Sequence, residues 1–144
     1  MIEQDTIKLL RECDAGIKMG VKSIDDVMPY AKSQELKKYL NRCKDEHDEL
    51  DEQLQELLNS YDDEGKEPNP IAKGMSWMKT SMKLSMNESD HTIADLITDG
   101  CNMGVKSLSK YLNQYAAADE KSKEICHKLI DIEELLRKDL RPYL

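Results

Sequence analysis

Apolar residues recur along the first thirty positions at intervals of three and four: Leu10, Cys13, Ile17, Gly20 and Val21, Ile24, Val27 and Met28, Ala31. A stripe of period near 3.5 is the face of a helix packed in a bundle, and it predicts a helix over about 4–31. The spacing returns in Leu36, Leu40, Cys43, His47, Leu50, Leu54, Leu57 and Tyr61, a second helix over about 34–61. Ser33 can cap it, and Pro29 removes a hydrogen bond at the end of the helix before. Ile97, Cys101, Gly104 and Val105, Leu108, Tyr111 and Leu112, and Tyr115 predict a third helix over about 90–116. Ile125, Leu129, Ile132, Leu136 and Leu140 predict a fourth over about 120–140, with Asp119 as its cap.

Two of these helices carry the same words. Met-Gly-Val-Lys-Ser stands at 19–23 and again at 103–107, 84 residues later. That offset is a whole number of heptads, so both copies present the same face inward. Ile17 corresponds to Cys101, Gly20 to Gly104, and Ile24 to Leu108. Each copy also holds a Gly-x-x-x-Gly, Gly16/Gly20 and Gly100/Gly104. Glycine inside a helix costs roughly 0.8–1 kcal/mol against alanine. Four at matched places are therefore expected to let the first and third helices approach closely, across a pseudo-twofold axis. With a second amphipathic helix after each copy, the chain reads as a duplicated αα-hairpin.

The hairpins are separated by a loop, "DDEGKEPNP", after which Asn69-Pro70 makes a good helix start. A crossover helix over about 70–86 follows, with Ile71, Met75, Met78, Met82 and Met86 on one face and Trp77 among them. A connection of this length lets a bundle run back along itself. The fold predicted is a single all-α domain, a four-helix bundle with one long crossover.

Composition narrows the class. Charged residues make up 35% and the formal net charge is -8, with pI ≈ 4.9 and mean hydropathy -0.71. Nucleic-acid binding needs clustered Lys and Arg, which this balance opposes. There is no apolar run near the ~18 residues of a membrane span, and "MIEQDTIKLL" lacks the build of a signal peptide. Four cysteines without a CxxC pair fit reduced thiols in the cytoplasm.

A duplicated hairpin with a long crossover resembles the ferritin-like fold. "TIKLLRECDAGIKMGVKSI", "QELKKYLNRCKDEHDEL", "GMSWMKTSMKL" and "ITDGCNMGVKSLSKYL" resemble a bacterial ferritin-like domain family of unknown function, distantly related to rubrerythrin and bacterioferritin. The resemblance covers essentially the whole chain and carries no catalytic signature. It implies a bundle whose faces pair in this superfamily, so a homodimer is expected.

Ferritin-like oxidases hold two irons with a Glu from each of two helices and a Glu-x-x-His from each of the others. Here Asp14 lies beside the first stripe and His47 within the second, at comparable depth counted from the hairpin turn. They are the candidate metal ligands, for iron, manganese or zinc. Lys44 stands where a Glu should precede His47 by three, and Thr98 is at the repeat position of Asp14. Glu124-Ile-Cys-His127 is a literal Glu-x-x-His, but His127 shares a face with Asp131 and Glu134, opposite Ile125 and Leu129. It is expected to face solvent. At most half of a dinuclear site remains. The other reading of His47 is a buried imidazole satisfied by Asp14, without chemistry.

The remaining features have ordinary readings. Cys13, Cys43, Cys101 and Cys126, one per helix, read as small core hydrophobes before a soft-metal site. The methionine stripe could take Cu(I), yet Met also suits a helix covering a bundle that has no Phe. "KDEHDELDEQ" reads as a solvated helix face, not a calcium loop. The expectation is a structural or interaction protein, not an enzyme; the alternative is a metal-binding or redox protein using Asp14 and His47.

Overall fold

The computed structural model describes residues 2–68 and 89–144, and among these the regular structure is entirely helical. Four long helices form it: α1 (Ile2–Val27), α2 (Gln34–Ser60), α3 (Asp90–Gln114) and α4 (Glu120–Asp139). The predicted crossover helix at 70–86, with its methionines and Trp77, lies outside the described residues.

Helix starts follow from local chemistry. The Ser33 hydroxyl accepts from Leu36 N–H, Ser89 from Thr92 N–H, and the Asp119 carboxylate from Ser122 N–H. Each satisfies a donor that the first helical turn leaves without a partner. The first helix ends earlier than its apolar stripe suggests. Pro29 lacks an N–H, and the chain tightens into a 3-10 turn at Met28–Tyr30 before Ala31 becomes extended.

α1 packs against α2 and α3, α4 packs against the same two, and α1 and α4 also approach across the diagonal. The ends fix the directions. Lys32 and Ser33 donate backbone N–H groups to Asp90, and Ser33 Oγ bonds Tyr143, so the start of α3 and the end of α4 lie beside the α1–α2 turn. Ala117 N–H reaches Asp5 and Asp119 N–H reaches Thr6 at the other end. α2 and α3 therefore run one way, and α1 and α4 the other. The chain leaves α2 at the end opposite the start of α3.

The interior follows the predicted stripes with local corrections. Leu36, Leu40, Cys43, His47, Leu50 and Leu54 are buried as expected, but Leu58 takes the next place while Leu57 is only partly covered. On α4, Ile125, Leu129, Leu136 and Leu140 are buried with Cys126, and Ile132 is partly covered. The apolar core has two halves. One gathers Ile24, Cys43, Cys101 and Leu136, and the other Ile17, Leu50, Leu108 and Leu129.

Candidate functional site

Between the two apolar halves lies a polar layer with one residue from each helix: Gly20 between Ile17 and Ile24, His47 between Cys43 and Leu50, Gly104 between Cys101 and Leu108, Glu133 between Leu129 and Leu136. His47 is 1% exposed. Its Nδ1 lies 2.7 Å from the Cys43 carbonyl oxygen, which can only accept, so Nδ1 carries a proton and donates. Its Nε2 lies 3.2 Å from Glu133 Oε1. The Cys43 sulphur is 3.6 Å from Nδ1, on the side of the ring away from Glu133.

Electrostatics reinforce the pair. Burial by itself would lower the His47 pKa, but the hydrogen bonds to Cys43 and Glu133 outweigh it and hold the imidazole up at about 10. Burial raises the Cys43 thiol, against the pull of His47. The Cys101 thiol is pushed up by burial and by the negative charge of Glu133. Glu133 thus receives His47 from α2, and its side chain keeps 13% of its surface exposed.

The repeated glycines make the layer fit. A Cβ on Gly20 would lie 2.6 Å from His47 Nε2 and 3.5 Å from Glu133 Oε1. One on Gly104 would lie 3.5 Å from Glu133 Oε2. The matched glycines of the two Met-Gly-Val-Lys-Ser copies thus face the same carboxylate. Gly16 abuts Leu129 and Leu108, whereas a Cβ on Gly100 would meet nothing within 4 Å. The expected role of the four glycines is corrected accordingly. Three make room for side chains, chiefly from α4 and α2, and Gly100 sits at the surface.

Asp14 and His47, the predicted pair, do not meet. Asp14 is fully buried and accepts from Lys18 Nζ at 3.0 Å, Gln55 Nε2 at 3.0 Å and the Lys66 backbone N–H at 2.9 Å. The helix register explains the separation. Asp25 pairs with Lys44 and Asp14 with Gln55, a register that carries His47 past Asp14 to lie against Gly20. At 1.5 Å per residue that is about 10 Å along the axis from Asp14.

Asp14 instead anchors the chain after α2. Arg11 binds Asp63, Lys66 binds Glu12 and Lys18 binds Glu67, so residues 63–67 climb along α1. Gly65 is left-handed there, at φ +85, and a Cβ on it would overlap the Asp14 carboxylate.

Glu124 and His127 are exposed as predicted, with Glu124 engaging Lys128 on its own helix. The four cysteines are buried free thiols. The neighbouring Cys126 thiol and burial together raise the Cys13 pKa well above the ordinary range. Cys43 and Cys101 belong to the other core half. Among the described residues, no group of three or more His, Cys, Asp or Glu side chains is placed to hold a metal ion, and no helix is long and apolar enough to cross a membrane.

Sequence reasoning missed Glu133, although a signal was present. Cys126, Leu129, Glu133, Leu136 and Leu140 form an unbroken 3-4 stripe. Counted from the caps, moreover, Glu133 stands fourteen residues after Asp119, as His47 does after Ser33. That offset of 86 also matches Leu40 with Cys126, Cys43 with Leu129, Leu50 with Leu136 and Leu54 with Leu140, all of them buried.

No protein-family model, curated protein or solved structure matches this chain.

Proposed function

We propose that this chain is a ferritin-like bundle protein, built from a duplicated αα-hairpin, with a structural or interaction role in the cytoplasm and no dinuclear iron centre. The observation that carries the reading is the exposure of the Glu-x-x-His of α4, Glu124 and His127, on the outside of that helix. A dinuclear centre needs carboxylates and imidazoles from four helices converging inside the bundle. The buried His47 and Asp14 are answered by protein partners instead, His47 by Cys43 and Glu133, and Asp14 by Lys18, Gln55 and Lys66.

Duplication is supported by the polar layer. Its two glycines occupy one repeat position, and His47 and Glu133 occupy the equivalent place in the second helix of each hairpin. The ferritin-like assignment rests on helix directions that call for one long connection between α2 and α3.

Metal content of protein purified without chelator or affinity tag tests the functional reading. It predicts fewer than two iron or manganese ions per chain. Two per chain, lost on His127→Ala, would refute it.

A further inference from the structure

The apolar stripes of this bundle do not by themselves say how its helices are aligned. We propose that the polar layer of His47, Glu133, Gly20 and Gly104 sets the register of all four helices. It singles out one alignment among those, seven residues apart, that the apolar stripes would also accept. This gives the buried pair a role that the structural reading above leaves open.

The stripes repeat at that interval. Seven residues to either side of His47 stand Leu40 and Leu54, and to either side of Glu133 stand Cys126 and Leu140, all of them buried. Sliding α4 by seven residues, about 10 Å, therefore keeps apolar side chains facing apolar side chains through most of the core. The layer is what such a slip breaks. Glu133 would enter the place of Cys126 or of Leu140, inside an apolar half, and His47 would face the other of the two. The imidazole cannot follow. Its Nδ1–H is held by the Cys43 carbonyl of its own helix, which leaves Nε2 aimed at Glu133 Oε1, 3.2 Å away. A buried pair of this kind adds little net stability over apolar side chains of similar size, but it penalises every alignment that parts it.

The glycines extend the device to the other two helices. A Cβ on Gly20 would lie 2.6 Å from Nε2, and the residues seven places away, Cys13 and Val27, both carry one. The corresponding neighbours of Gly104 are Ile97 and Tyr111. A slip of α1 thus drives a side chain into the imidazole, and a slip of α3 sets a bulky one against the carboxylate. Contacts at the ends of the bundle, Asp90 with Lys32 and Ser33 and Asp5 with Ala117, hold the same alignment. They lie at or near the surface, where water replaces a lost partner.

The distance between two spin labels on the full chain tests the proposal. Glu56→Cys on α2 and Lys138→Cys on α4 put the labels at exposed positions, and the four native thiols are buried. A seven-residue slip of α4 changes their axial separation by about 10 Å. The expected result with His47 and Glu133 in place is a single distance. With His47→Leu and Glu133→Leu added, the chain should stay helical by circular dichroism and show a second population displaced by about 10 Å. His47→Met with Glu133→Met is the second variant should leucine not fit between the glycines, with the same expectation. A single, unshifted distance in a folded double variant overturns the proposal. Unfolding of both double variants also overturns it, because the layer would then stabilise the bundle rather than select its alignment. Neither result touches the absence of a dinuclear centre, which iron stoichiometry decides separately.

Discussion

Glu133 meets His47 at 3.2 Å from the equivalent place on the partner helix, each fourteen residues after its own helix cap. Breaking one side of such a buried pair leaves the other without compensation, at a cost of about 3–5 kcal/mol. His47→Leu and Glu133→Leu should each destabilise on that scale. The double variant should lose clearly less than the sum, because neither group is then stranded. Denaturant unfolding of the three variants measures the coupling. The same cycle on His47 and Asp14 should be additive.

The pH dependence of stability follows from the raised imidazole. His47 titrates near 6.5 in the unfolded chain and at about 10 in the fold. Its contribution is therefore fully present below about pH 6.5 and is lost as pH rises towards 10. Melting temperatures of wild type should fall over that window more steeply than those of the His47→Leu, Glu133→Leu double variant. Parallel curves would show that the pair does not stabilise the fold through a proton.

Glycine substitutions separate the packing roles. A methyl group at Gly20 would press on His47 Nε2 at 2.6 Å, so Gly20→Ala should destabilise despite the better helix propensity of alanine. Gly100 has open space around it, and Gly100→Ala should stabilise by about 0.4–1 kcal/mol. Thermal melts of the two variants should move in opposite directions.

Asp14 gives a local prediction. Its carboxylate accepts the Lys66 N–H and fits against Gly65. Asp14→Ala should cost about 1–3 kcal/mol and speed hydrogen exchange at the Lys66 amide before that of the buried helix amides. Uniform exchange across α1 and Lys66 would mean that the segment after α2 is not held there.

Much of this was legible in the sequence because helical periodicity is a local signal. Ser33 and Asp119 mark helix starts by side-chain chemistry alone, and Leu36 to Leu54 mark a face by spacing alone. The partner of His47 was not legible by those means. Depth counted from a turn ignores the residues that the turn consumes, and the Met28–Tyr30 turn with the extended chain after it shifts the register. Counting from caps instead pairs His47 with Glu133 as equivalents, but Ile132, apolar and adjacent, draws the eye from the carboxylate. Asp14 was correctly placed at the edge of the core. Its partners, Gln55 and a backbone amide beyond α2, carry no periodic signature.

The central claim is that this bundle holds no dinuclear oxygen-activating centre. Oxygen uptake on adding two equivalents of iron(II) per chain, under air and without chelator, tests it most directly. The account predicts uptake no faster than iron(II) in buffer alone, unchanged by His127→Ala or Glu124→Ala. Rapid uptake saturating at two irons per chain, and abolished by either substitution, would contradict it.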